Sequence, residues 1–189
     1  EWFRGIEFLT TVGQKCTNKR QEFILLSDVL GLSMMTVAMN NDRPAGCTES
    51  TVFGPFYVDD APHYENGDDV SNGASGQACL VHGTVKNSDG QPVSNATIDV
   101  WQADDEGFYD VQKENLNHAQ ARGVLHSKVD GSFDFKSIVA EAYPIPMDGP
   151  VGTMLEATLR SPWRPAHLHF MIKADGYETL ITHVFKKGD

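Results

Sequence analysis

The chain has 189 residues, of which 40% are hydrophobic and 22% are charged, a composition typical of one globular domain with an appendage. Fifteen basic and 26 acidic residues give a formal net charge of −11, which disfavours nucleic acid and anionic membrane surfaces as partners because phosphate binding requires concentrated Lys and Arg. The three cysteines are odd in number and far apart, which indicates a reducing cytoplasm and neither a disulfide framework nor a zinc motif. No apolar run reaches the length of a membrane span.

The first 40 residues predict helices. Trp2, Ile6 and Leu9 recur at helical spacing and form one apolar stripe. A second helix is predicted over residues 19–40, in which Gly31 weakens the pattern without having to break it. The predicted apolar face of this second helix consists of Phe23, Leu26, Leu30 and Val37.

The remainder of the chain predicts a β-rich region. Residues 40–50 are rich in turn formers and indicate a linker. Beyond them, turn signals separate short segments of alternating polarity. The predicted strands lie within 78–86, 96–103, 129–138, 166–174 and 178–185. Short strands at this spacing are typical of an antiparallel sandwich or barrel.

Two histidines mark the strand within RPAHLHF, residues 164–170. Because side chains alternate along a strand, His167 and His169 are expected on one face and Leu168 and Phe170 on the other. Two adjacent imidazoles can bind one metal ion. The alternative is one buried, hydrogen-bonded histidine and one that faces solvent. The other histidines form no comparable pair, and no carboxylate lies at a spacing that marks it as a third ligand.

Tyr109 and Tyr143 are further candidate ligands, because each follows a strand or stands beside a turn. Ordinary aromatic packing is the alternative for both. A neutral phenol, with a pKa of about 10, is a poor ligand. A ferric ion stabilises the phenolate, and tyrosinate is a known ligand of ferric iron. Two His and two Tyr therefore suit Fe(III) better than Zn(II) or Mg(II).

Three stretches together resemble the intradiol ring-cleaving dioxygenases, non-haem Fe(III) enzymes that cut catechols between their two hydroxyls. They are WQADDEGFYD (101–110), YPIPMDGPVG (143–152) and WRPAHLHFMI (163–172). The metal motif of that family, Tyr…Tyr…Arg-Pro-x-His-x-His, is matched here at five positions in order.

The resemblance implies a role for each matched residue. Tyr109, Tyr143, His167 and His169 would hold the Fe(III), and Tyr143 would leave the metal and accept a substrate proton. Arg164 would bind the substrate and stabilise negative charge that develops on the ring. A surface ion pair is the alternative for Arg164, and its position three residues before His167 argues against it.

The resemblance covers essentially the whole chain and implies a mainly β protein. An antiparallel β-sandwich catalytic domain over residues 49–189 would follow a small α-helical dimerisation domain over residues 1–48. Family chains extend beyond both ends of this sequence, which lacks an initiator Met and stops after an apolar run, so we expect both domains to be truncated. The implied assembly is a homodimer through residues 1–40, with a lipid held between the helices. Packing of these helices on the chain's own sandwich is the alternative.

Within the family, the segment STVFGPFYVDDAP (50–62), the Tyr-Pro-Ile-Pro step and His183, where catechol enzymes tend to have Gln, resemble hydroxyquinol 1,2-dioxygenases. The implied substrate contacts are Leu25, Asp28, Val52, Phe53, Gly54, Pro55, Phe56, Ile145, Pro146 and Arg164. Asp28 interrupts an apolar helix pattern, and its carboxylate could accept a hydrogen bond from the third hydroxyl of a trihydroxybenzene. An exposed helix face is the alternative for Asp28.

The implied reaction is cleavage of hydroxyquinol by O2, with both oxygen atoms incorporated, to 3-hydroxy-cis,cis-muconate or its tautomer maleylacetate in the catabolism of aromatic compounds. Cleavage of catechol or chlorocatechol is the close alternative. Two more distant alternatives are a cupin-like Zn(II) or Fe(II) protein, which would need a carboxylate ligand, and a β-sandwich binding module without catalysis.

Overall fold

The computed structural model describes residues 1–17 and 20–189, which form two compact units. The helical unit comprises Glu1–Asp42 and Pro144–Arg164, and the β unit comprises Arg43–Tyr143 and Pro165–Asp189. The segment Pro144–Arg164 thus belongs with the N-terminal helices, although it follows four strands in the sequence. The linear division between residues 48 and 49 stays a prediction.

Four helices form the helical unit: α1 (Trp2–Lys15), α2 (Glu22–Leu30), α3 (Leu32–Asn40) and α4 (Pro150–Ala157). Val12, Leu26 and Val151 make its buried cluster and bring α1, α2 and α4 together. Glu22 is also fully buried, and its carboxylate accepts hydrogen bonds from Arg20 Nε at 2.8 Å and from the Val151 amide at 3.3 Å. The amide of Val151 lies at the N-terminus of α4, where a negative charge is favourable.

The predicted single helix over residues 19–40 is wrong because it is interrupted at Gly31. Gly31 adopts the left-handed conformation at φ +79°, ends α2 and turns the chain by 74° into α3. On the predicted apolar face, Leu26 is buried, whereas Phe23 and Leu30 are 49% and 61% accessible. The predicted first residue of that helix, Lys19, lies outside the described residues. No single helix among the described residues is long and apolar enough to cross a membrane; α2 and α3 pass that test only as a bent pair.

The strands of the β unit are β1 Ala78–Thr84, β2 Thr97–Gln102, β3 Arg122–His126, β4 Ser132–Ile138, β7 His167–Lys173 and β8 Leu180–Phe185. They form a sandwich of an antiparallel four-stranded sheet, ordered β3-β2-β7-β8, and an antiparallel two-stranded sheet of β1 and β4. The chain also has two short strands, β5 Tyr143–Pro144 and β6 Trp163–Arg164. A 3₁₀ turn spans Asp110–Gln112. All five predicted strands are confirmed, whereas β3 and α4 were not predicted.

The two faces of the four-stranded sheet carry different chemistry. On one face, Ile98, Val100 and Phe170 pack with Phe133 and Phe135 of β4 in the sandwich core. The opposite face carries a second buried cluster that includes Trp101, Tyr109 and Met171. The predicted alternation therefore holds in both β2 and β7, and it directs His167 and His169 away from the sandwich core.

Replacement of two glycines by alanine should change the stability of the helical unit in opposite directions. Gly31→Ala should lower the free energy of unfolding by about 1 kcal/mol, because a Cβ is unfavourable at φ +79°. Gly5→Ala should raise it by about 0.5–1 kcal/mol, because Gly5 lies inside α1 and an added Cβ would meet nothing within 4 Å. Urea unfolding followed by circular dichroism measures both changes. An unchanged or raised stability in Gly31→Ala would contradict this account of the α2–α3 break.

Candidate metal centre

Three buried side chains bring their ligand atoms together on the outer face of the four-stranded sheet. Tyr109 Oη lies 2.9 Å from His169 Nε2 and 3.4 Å from His167 Nε2, and the two Nε2 atoms are 3.1 Å apart. Each of the three residues is at most 2% exposed. Adjacent ligands at right angles around an ion, each at about 2.1 Å, would be about 3 Å apart. The spacing of the three donors therefore fits a shared metal ion.

The orientation of His167 is set by its neighbour. Its Nδ1 lies 2.8 Å from the carbonyl oxygen of Pro165. A carbonyl oxygen only accepts hydrogen bonds, so Nδ1 donates to Pro165, and Nε2 faces the other donors. A backbone partner of this kind, which orients the ring and fixes its tautomer, is the usual environment of a metal-bound histidine.

His169 is held by its position in the sheet. It is the cross-strand neighbour of Trp101, and the two rings stack with centroids 4.6 Å apart. On its other side it pairs with His183 of β8. Packing on both sides restricts the imidazole to one orientation, with Nε2 toward Tyr109.

Tyr143 and His183 complete the surroundings of the three donors. The ring of Tyr143 lies 5.8 Å from that of Tyr109 and 5.7 Å from that of His167. Ligand atoms of His167, His169 and His183 all lie within 4.8 Å of one another. Among the described residues, this is the group of three or more His, Cys, Asp or Glu side chains that could hold a metal, and it contains no carboxylate.

The sequence marks His183 as typical of the subfamily but does not predict its place beside the donors. The alternating pattern of residues 178–185 was visible, but the pairing register of β7 with β8 was not. Only the register that places His169 opposite His183 brings the third imidazole to the site.

Residues 52–56, predicted to contact substrate, form a strip against the donors. The Phe56 ring stacks on Tyr109 with centroids 4.3 Å apart and an interplanar angle of 24°. Gly54 adopts φ +81°, and a Cβ added there would lie 3.2 Å from His169 Cε1. Glycine thus permits both the turn and the close approach to the imidazole. Phe53 packs near Trp101, with centroids 5.8 Å apart.

Two family models together match nearly the whole chain. A family model described as "Dioxygenase" matches residues 52–189, and one described as "Catechol dioxygenase N terminus" matches residues 1–48. The chain belongs to the intradiol ring-cleaving dioxygenase family. The family predicted from the sequence is confirmed.

Individual relatives show which members of the family the chain resembles. The chain is 66% identical to the 6-chlorohydroxyquinol 1,2-dioxygenase of Cupriavidus pinatubonensis, over all of this chain and 68% of that protein. It is 55% identical to a hydroxyquinol 1,2-dioxygenase of Nocardioides simplex, over all of this chain and 64% of that protein. The crystal structure of hydroxyquinol 1,2-dioxygenase from Pseudomonas putida DLL-E4 superimposes with a TM-score of 0.95 at 49% identity, over 99% of this chain and 65% of that one. The chain thus spans about two thirds of the length of these relatives.

The other predicted site residues of this intradiol dioxygenase lie in the helical unit. Leu25 and Asp28 are half-buried residues of α2. Ile145 donates its amide to the Pro162 carbonyl at 3.0 Å, and Pro146 is exposed. Arg164 is half-buried at the end of β6. Their roles in substrate binding stay predictions, as does the role of Arg164 in catalysis.

A buried carboxyl and a tyrosine lie on the same face of the sheet as His169. Asp99 is 5% exposed, and burial raises the pKa of its carboxyl. Burial also raises the pKa of Tyr57 to about 12, and the negative charge of Asp99, to which the Tyr57 hydroxyl donates, adds to that increase. The Tyr57 ring lies 5.2 Å from Trp101, which in turn stacks on His169. Tyr57 therefore stays neutral at any physiological pH.

Tyr57 should contribute to the loss of stability in alkali. An unfolded tyrosine ionises near pH 10, about two pH units below the folded Tyr57. The stabilising contribution is thus complete below pH 10 and is lost as the pH rises toward 12. In Tyr57→Phe, the free energy of unfolding should fall less between pH 9 and pH 11 than in the wild type, as measured by urea titration of the metal-free protein. Tyr177→Phe, at a tyrosine that is 51% exposed, is the control; an equal effect of both substitutions would refute the assignment.

Proposed function

We propose that the chain catalyses intradiol cleavage of hydroxyquinol by O2, with both oxygen atoms entering the product, 3-hydroxy-cis,cis-muconate or its tautomer maleylacetate. The observation that carries the proposal is the buried triangle of one phenol oxygen and two imidazole nitrogens, with edges of 2.9, 3.1 and 3.4 Å. The similarity of the chain to hydroxyquinol and chlorohydroxyquinol dioxygenases supports the choice of substrate. The proposed reaction is a step in the catabolism of aromatic compounds.

Tyr109, Tyr143, His167 and His169 would hold a non-haem Fe(III). A phenol oxygen among the donors favours the ferric ion, because its charge stabilises the phenolate. When bound, Fe(III) supplies Lewis acidity that favours the deprotonated diol and draws electron density from the ring. The cupin-like alternative requires a carboxylate ligand, and in the described part of the chain the cluster of His167, His169 and His183 contains none.

The chain's own residues would bind the ring and move its protons. Phe56 and Gly54 close one side of the donor group and exclude water from it. Tyr143, which is less buried than Tyr109, would accept a substrate proton at Oη. Arg164 would place a fixed positive charge near the negative charge that develops on the ring, an effect of about 3 kcal/mol in comparable oxyanion sites.

Chlorinated hydroxyquinol is a second candidate substrate, since the relative at 66% identity is named for 6-chlorohydroxyquinol. Catechol and chlorocatechol remain the alternatives that lack the third hydroxyl. Comparison of kcat/KM for hydroxyquinol, 6-chlorohydroxyquinol and catechol on one preparation ranks them. A catechol value above both hydroxyquinol values would overturn the proposed substrate class.

The visible absorption spectrum tests the metal centre. The iron-loaded protein should show a broad charge-transfer band from tyrosinate to Fe(III), and the band should shift on anaerobic addition of hydroxyquinol. Tyr109→Phe and Tyr143→Phe should each weaken the band and lower kcat/KM by at least about 100-fold. Tyr177→Phe, at an exposed tyrosine, should leave both unchanged. A colourless protein that nevertheless contains iron would rule out tyrosinate ligation.

We propose that Asp28 distinguishes substrates that carry the third hydroxyl from those that lack it. A buried acceptor left unpaired by the wrong substrate penalises that substrate, by about 10-fold or more for one hydrogen bond. Asp28→Ala should therefore lower the ratio of kcat/KM for hydroxyquinol to that for catechol by about that factor. Asp42→Ala, at an exposed carboxylate of the same unit, should leave the ratio unchanged. An unchanged ratio in Asp28→Ala would remove the assignment.

We also propose a cytoplasmic homodimer that associates through residues 1–40. The three cysteines are free, which supports a reducing compartment. Trp2 and Phe3 of α1 are 76% and 84% exposed, and Phe23 and Ile24 of α2 are about half exposed. An apolar surface of this kind is typical of a contact with another molecule. Sedimentation velocity measures the assembly, and a monomer at micromolar concentration would contradict it.

A further inference from the structure

We propose that Arg122 is a positioning residue that ties the strip 52–56 to the Tyr109 donor, so that the substrate-binding surface and the metal ligand move as one body. The effect on substrate binding rests on the proposed function, whereas the tie itself does not. All the residues involved belong to the β unit.

Arg122 begins β3 opposite Trp101, and its side chain is 3% exposed. Its guanidinium donates hydrogen bonds to two partners. Nε donates to the two carboxylate oxygens of Asp110 at 2.9 and 2.7 Å, and Nη2 donates to Asp110 as well. Nη1 donates to the backbone carbonyl of Phe56 at 2.9 Å. One planar group thus connects the residue that follows Tyr109 with the end of the strip.

The Asp110 end of this connection is firmly held. The carboxylate also accepts the amides of Val111 at 2.8 Å and Gln120 at 3.1 Å. The Tyr109 amide donates to Gln112 Oε1 at 2.8 Å, which closes the 3₁₀ turn behind the phenol. The buried negative charge of Asp110 is therefore compensated, and the backbone that carries the phenol is bound to the guanidinium.

The Phe56 end is held less firmly. Its ring stacks on Tyr109, and its carbonyl accepts from Arg122. Because a guanidinium presents its donors in a fixed fork, it can serve Asp110 and Phe56 at once. A lysine ammonium, a point charge on a flexible stem, could still compensate Asp110 but could not hold both partners in the same geometry. The Phe56 carbonyl is the partner that such a substitution would release.

Arg122→Lys separates positioning from charge compensation. In the full chain loaded with diamagnetic Ga(III), backbone ¹⁵N order parameters of residues 53, 54, 56 and 57 should fall from about 0.85 to below about 0.6. In the Fe(III)-loaded protein, iron content should stay unchanged, and the anaerobic Kd for hydroxyquinol should rise about five- to tenfold, the scale of one lost hydrogen bond. Arg43→Lys is the matched control, since Arg43 also joins a side chain, Ser50, to a backbone carbonyl, that of Thr179. Both measurements should be unchanged in Arg43→Lys.

Each outcome decides the proposal. A role limited to charge compensation would leave the order parameters of Arg122→Lys at wild-type values, and that result would overturn the tie. Lowered order parameters with an unchanged Kd would overturn its link to substrate binding. If the wild type fails to bind or cleave hydroxyquinol, the proposed function fails, while the order parameters still test the tie.

A measurement on the wild type covers the case in which Arg122→Lys does not fold. In a guanidinium held by two buried partners, the Nε and Nη protons exchange slowly with water, and rotation about the C–N bonds is slow. Separate Nη resonances should therefore be observed for Arg122 in the Ga(III)-loaded protein. A single averaged Nη resonance for Arg122 would overturn the proposal.

Discussion

The donor triangle of Tyr109, His167 and His169 is the constraint on which the rest of the β unit depends. Three electron-rich atoms, each about 3 Å from the others, are buried away from water. The Nδ1 of His167 donates to the Pro165 carbonyl, which directs its Nε2 toward the other two atoms. Such an arrangement is unfavourable unless a cation or shared protons compensate it. The surrounding structure therefore has to hold the donors in place.

A sheet that is covered on both faces provides that rigidity. Apolar residues of β2 and β7 pack in the sandwich core, while the alternate residues of the same strands form the floor of the candidate metal site. The position of His169 is consequently coupled to core packing through the backbone of β7. Its ring is further confined between Trp101 and His183. The opposite side of the donor group is closed by the strip 52–56, whose Phe56 stacks on Tyr109.

The candidate residues are divided between the two units. The candidate metal donors, His183 and the strip 52–56 belong to the β unit, whereas Leu25, Asp28, Ile145 and Arg164 belong to the helical unit. The segment that carries Ile145 and Arg164 joins the helices because α4 packs its Val151 with Val12 and Leu26.

Local patterns in the sequence determined a large part of this protein. Period-two alternation predicted the five strands and the common face of His167 and His169, because adjacent side chains in a strand must point in opposite directions. The ordered Tyr…Tyr…Arg-Pro-x-His-x-His motif identified the family. Tertiary structure alone decided the rest. Strand register placed His183 opposite His169 and Arg122 opposite Trp101, and no local signal specifies which residues of two distant strands become neighbours. The packing of α4 with the N-terminal helices was likewise decided by which apolar surfaces could be buried together, a balance that depends on the whole chain.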